Sequence, residues 1–197
     1  MADPQHVPKL DSFDELTVKL YRLGLLLMTS GLLAMSMVQA VMLYSGEPAT
    51  GQVDTLLEAG PTVLICMGMG LSVASMHLYD KRIRWIIRTT SWLGVVLLLT
   101  SAALGGEFEH FVHALGLGFV FVSASAFALK EQFCFQLKAL RLVPVFLGIS
   151  AFALWLEVVV LSAPLLGLTG LIYARLALAK ATMPLHFDIG DKSKYQV

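Results

Sequence analysis

The sequence predicts an all-α fold, a polytopic bundle of about six transmembrane helices with the N-terminus and C-terminus both cytoplasmic. Three observations predict it. Of the 197 residues, 57% are hydrophobic and only 14% charged. Soluble domains carry charge on about a quarter of their residues, so this chain lacks the polar groups to cover a soluble surface. The apolar residues also fall into blocks near the roughly 20 residues that cross a bilayer as a helix. Finally, every basic residue lies at alternate ends of those blocks.

Helices are required rather than strands because lipid offers no partner to a free backbone N–H or C=O. A barrel would need alternating segments of about ten residues, and Leu93-Gly-Val-Val-Leu-Leu-Leu does not alternate. Residues 1–19 form a polar N-terminal segment in which Ser12-Phe-Asp-Glu15 has capping-box spacing and marks a helix start. This segment has neither the basic start nor the short apolar stretch of a cleavable signal, so the first span is expected to be retained. The six-span bundle occupies 20–180, with spans at 20–44, 61–79, 89–104, 111–129, 142–160 and 163–179. Pro61 is expected in the first turn of the second span, where its missing N–H costs little, and Pro164 at the start of the sixth. A polar C-terminal tail covers 181–197.

Charge asymmetry gives the orientation. Cytoplasmic loops concentrate Lys and Arg. The loops 45–60, 105–110 and 157–164 contain neither, whereas all 14 Lys and Arg residues lie at the opposite ends: Lys9, Lys19 and Arg22; Lys81, Arg82, Arg84 and Arg88; Lys130, Lys138 and Arg141; Arg175, Lys180, Lys192 and Lys194. Six spans is the smallest count that puts all of them on one side. The map separates Cys66, in the outer half of the second span, from Cys134, in an inner linker. They lie on the order of 20 Å apart at about 1.5 Å per residue, beyond the roughly 7 Å reach of a disulfide.

Candidate ligands concentrate at the outer end in Glu107-Phe-Glu109-His110-Phe-Val-His113. Spacings of three and four put pairs of these on one helix face, and carboxylate with imidazole suits a divalent metal. Glu157 and Gln39, near the outer ends of the fifth and first spans, can approach them. The competing reading is a polar first helical turn, where acidic residues suit the macrodipole. Glu157 divides between an interfacial carboxylate and a proton- or cation-handling one. His77, near the inner end of the second span, is a candidate axial ligand for haem or chlorophyll, against the plainer role of an interfacial hydrogen-bonding residue. Its distance from His110 and His113 rules out two ligands to one haem. Gly70 with Ala74, Ala114 with Gly118, and Ala124 with Ala128 give small-xxx-small faces that permit close helix approach, which suggests central second and fourth spans and is equally compatible with a homodimer.

No basic stripe is available for nucleic acid. The chain also has no phosphate-cradling Gly-x-x-x-x-Gly-Lys-Ser/Thr loop, no His-Glu-x-x-His and no Gly-x-Ser-x-Gly. From Gly116-Leu-Gly-Phe through Lys130-Glu-Gln-Phe-Cys-Phe135 and the span holding Pro144, the chain resembles a family of uncharacterised integral membrane proteins of cyanobacteria and plastids. The similarity covers roughly the C-terminal half, and the Lys-Glu-x-Phe-Cys-Phe linker is its most specific piece. The resemblance implies a multi-span protein of a photosynthetic organism, favours a thylakoid or plasma membrane, and carries over no catalytic residue. The function expected is a non-enzymatic assembly or scaffold factor that contacts lipid and partner helices. The alternatives are a small ion or metabolite transporter or channel, and a redox protein holding a divalent metal or a pigment.

Overall fold

The computed structural model describes residues 10–45, 52–104 and 106–189; the side chains of residues 52–58, 107, 134 and 135 fall outside the described set. The elements are α1 (Ser12–Ser45), α2 (Gln52–Ala74), α3 (Lys81–Ser101), α4 (Glu107–Phe135), a 3-10 turn (Lys138–Leu142), α5 (Val143–Trp155), α6 (Val159–Ala181) and the short α7 (His186–Ile189). There is no strand among the described residues. Five segments are long and apolar enough to cross a membrane: Ser12–Ser45, Lys81–Ser101, Phe108–Phe133, Lys138–Trp155 and Val159–Ala181. In α2 the apolar stretch is shorter, Ala59–Ala74.

The helix limits follow from local chemistry. A capping box opens α1 one residue earlier than the sequence suggests: Asp14 N donates to Asp11 Oδ1 at 2.7 Å, and Asp11 N donates to Asp14 Oδ2 at 3.1 Å. Asp80 caps α3 by accepting from Arg82 N at 2.8 Å and Ile83 N at 3.0 Å. That cap turns the expected basic linker 80–88 into the first turns of α3. Pro61 lies inside α2 rather than at its start, and its carbonyl oxygen packs against Gly31 of α1. The fifth helix stops at Trp155 rather than 160 because Glu157 adopts a left-handed conformation, φ 56°. Val158 N then donates to Ala153 O at 2.8 Å and Glu157 N to Leu154 O at 3.2 Å, the paired bonds of a Schellman stop. The sixth helix begins at Val159, so Pro164 lies inside it.

Apolar burial drives little helix association in lipid, where close packing matters more, and glycine position decides the neighbours. A Cβ on Gly24 would lie 2.6 Å from the Gly68 carbonyl oxygen, and one on Gly94 would lie 3.0 Å from that of Gly116. These approaches hold α1 to α2 and α3 to α4. Gly167 and Gly170 of α6 meet Ser36 and Leu33 of α1. Helix α1 therefore replaces α2 as a hub, packing extensively on both α2 and α6, while α4 lies between α3 and α5. Of the small-residue faces anticipated from sequence, Ala124 and Ala128 are buried. Gly70 has only Trp92 at 3.8 Å, and nothing lies within 4 Å of a Cβ built on Gly118.

Candidate functional site

The described basic residues sit where α1 begins, α2 gives way to α3, α4 gives way to α5, and α6 ends. At this basic end of the bundle the structure assembles a buried ionic network from residues far apart in sequence. Glu131, on the last turns of α4, is 1% exposed. Its Oε1 accepts the Tyr21 hydroxyl of α1 at 2.6 Å, and its Oε2 pairs with Lys180 Nζ of α6 at 2.9 Å. Lys180 is 2% exposed and also pairs with Asp188 of α7. The Asp188 carboxylate accepts Arg22 Nε at 2.8 Å and faces Arg22 Nη2 at 2.6 Å. Arg22 also donates to the Met183 and Pro184 carbonyls at 2.9 and 3.2 Å. Lys130 stands 3.5 Å from Glu131 and 4.7 Å from the Tyr21 ring centroid.

The arrangement explains how ionised groups survive in a medium of low polarity. An isolated buried carboxylate or ammonium would be strongly disfavoured. Here each carboxylate meets two cations, and the Tyr21 hydroxyl fills a further lone pair of Glu131. Tyr173 O–H donates to the Ala124 carbonyl one level deeper, and Tyr21 meets Phe127 edge-on at 6.0 Å. With its amide oxygen turned toward Arg141, Gln132 accepts from Nε at 2.8 Å and Nη2 at 3.0 Å, fastening the end of α4 to the 3-10 turn.

The opposite end holds the ligands singled out from sequence and turns them to different partners. His110 Nε2 donates to the Trp155 carbonyl at 3.3 Å and lies 3.7 Å from Glu157 Oε1. The bond caps a carbonyl orphaned at the end of α5. His113 Nε2 turns to Thr62 Oγ1 of α2 at 3.3 Å. Gln39 accepts the Ser162 hydroxyl and ties α1 to α6. Glu109, His110 and His113 line a crevice of about 600 Å³ between α2 and the α3–α4 pair, together with Thr62, Cys66 and Ser101. Glu157 sits on the turn with its side chain 78% exposed, outside the helix in which it was expected. The Glu107 and Cys134 side chains lie outside the described set. No group of three His, Cys, Asp or Glu placed to hold a metal occurs among the described residues. His77 follows the end of α2, with Nε2 3.5 Å from Thr17 Oγ1, and joins the α2–α3 connection to α1.

Sequence reasoning missed the network because its members are spaced 110 and 166 positions apart, a relation no local spacing reveals. One signal was available: Glu131 follows Lys130 directly at the end of an apolar block, and Lys180 closes another.

Comparison with known proteins agrees with this architecture and attaches no chemistry to it. A relative in Haemophilus influenzae, described as an uncharacterized protein, is 28% identical over 197 residues, the whole of both chains. That organism lies outside cyanobacteria and plastids. No solved structure matches. The family model for an uncharacterized integral membrane protein (DUF2301) matches residues 71–197, which holds Glu131, Lys180 and Asp188 but not Tyr21 or Arg22. The chain belongs to this DUF2301 family of integral membrane proteins.

Proposed function

We propose that this chain is a non-enzymatic assembly or scaffold protein of its membrane. It spans six times, keeps both termini and its basic end on the cytoplasmic side, and resides in a plasma or thylakoid membrane. The observation that carries the reading is an unused packing surface. The glycines at positions 24, 31, 68, 94 and 116 are consumed by internal contacts, whereas Gly118 and Gly148 have nothing within 4 Å of a built Cβ. Both line an apolar groove of about 640 Å³ between α4 and α5, with Phe111, Phe119, Phe152 and Trp155 along its walls. Small residues open to lipid permit the close approach on which helix association in membranes depends, so the groove fits a helix of a partner or of a second copy. Affinity purification in a mild detergent tests this. Wild type is expected to retain a stoichiometric partner or to dimerise, and Gly118→Leu with Gly148→Leu to release it. A lone monomer under every mild condition overturns the reading.

A second reading, a small ion or metabolite transporter, is favoured by the polar crevice containing Glu109, His110 and His113. This crevice is also where a divalent metal or pigment would find ligands. Reconstituted flux that falls on His113→Ala supports transport. Stoichiometric metal or a visible absorption band lost in His110→Ala with His113→Ala supports a cofactor.

A further inference from the structure

The Asp188 carboxylate is gripped in an unusual way. Arg22 approaches one oxygen with two guanidinium nitrogens, and Lys180 takes the other. These cations come from α1 and α6, which pack together independently of the tail. The receptor is thus built by the bundle, while its occupant arrives on the four residues of α7, which are seated through Asp188 and the buried Ile189. A guanidinium fork beside an ammonium is the donor set that recognises phosphate as readily as carboxylate. Beside Asp188 stand the cations Arg22, Lys180 and Lys130 and the acid Glu131. The site also lies at the end of the bundle where the described basic residues gather, and clustered Lys and Arg beside a membrane-spanning helix favour anionic head groups.

We propose that Arg22 and Lys180 form an anion-binding site for phosphate-bearing ligands, and that the tail segment 183–189 occupies it as a tethered competitor through Asp188. The tether makes the competitor strong: a carboxylate on a short connection acts at roughly millimolar effective concentration without any new contact. A ligand must displace the tail to bind, which frees the Met183 and Pro184 carbonyls from Arg22 and uncovers the Lys180–Glu131 pair. Binding at one point is thereby converted into release of segment 183–189.

The test uses the full-length protein in neutral detergent, with pyrophosphate as the soluble probe and short-chain phosphatidic acid as the lipid probe. Asp188→Asn is expected to bind at least one of them about tenfold more tightly than wild type. Arg22→Gln added to Asp188→Asn is expected to abolish the gain. Tightening for phosphatidic acid alone assigns the site to lipid headgroups, and tightening for pyrophosphate assigns it to soluble anions. Hydrogen exchange of wild type guards against a variant that fails to fold: either probe is expected to speed exchange of the backbone amides from Met183 to Ile189. The proposal is overturned if Asp188→Asn folds and binds neither probe more tightly, if the gain survives loss of Arg22, or if neither probe changes exchange in the tail.

Discussion

The two ends of the bundle spend their charge in opposite ways. At the end carrying His110 and Glu157, the acids and histidines singled out on α4 lie within one short stretch of sequence, and His110 meets the exposed Glu157 only loosely, at 3.7 Å. At the basic end they come from four helices, the carboxylates Glu131 and Asp188 are almost wholly buried, and contacts of 2.6 to 2.9 Å join them to Tyr21, Arg22 and Lys180, with Lys130 further off at 3.5 Å. Proximity along the chain therefore marked the energetically lighter site. Desolvation is the reason: exposed pairs are screened by water and contribute little, whereas a buried ion must be matched or the fold yields.

Four substitutions would break or sharpen this contrast. The largest effect is expected from Lys180→Met, which leaves Glu131 with Lys130 and Asp188 with Arg22 as their remaining cations. It should cost about 3–5 kcal/mol, as removal of one partner of a buried pair does, and Glu131→Leu in the same chain should restore a substantial part. Denaturant titration of single and double variants in micelles measures both, and equal losses would remove the basis of the contrast. Tyr21→Phe, which takes a hydroxyl from a buried carboxylate, should cost about 1.5–3 kcal/mol in the same titration. At the other end the sign reverses. Glu157→Gly should stabilise by about 1 kcal/mol, because glycine accepts the left-handed conformation without the penalty of a Cβ, and a raised melting temperature would register it. His110→Ala should move that temperature least, by less than about 0.5 kcal/mol equivalent. A large loss there would show that the outer group is more tightly organised than its geometry indicates.

Much of the architecture was legible because bilayer thickness sets a length that apolar blocks must match. Caps were legible to within a residue, as with Asp11 against Ser12, because they are chemistry among near neighbours. A break near Glu157 was legible from its charge within an apolar stretch, but its left-handed stop was not, since no glycine announces it and an acidic residue holds that position. The choice of packing glycines was also hidden. Gly118 and Gly116 stand in the same run, yet only Gly116 meets a neighbouring helix, and the rotation of α4 that decides between them is a tertiary outcome. The buried network was least legible of all, since it exists only once α1, α4, α6 and α7 are side by side.

The length of α1 has a mechanical meaning. Its 34 residues make a rod of about 50 Å at roughly 1.5 Å per residue, well over the roughly 30 Å of bilayer hydrocarbon, and it contains no proline. The same rigid body carries Tyr21 and Arg22 near one end and Gln39 toward the other. A sliding displacement that loosened Gln39 from Ser162 would be delivered, with little attenuation, to the hydroxyl and guanidinium that hold Glu131 and the tail.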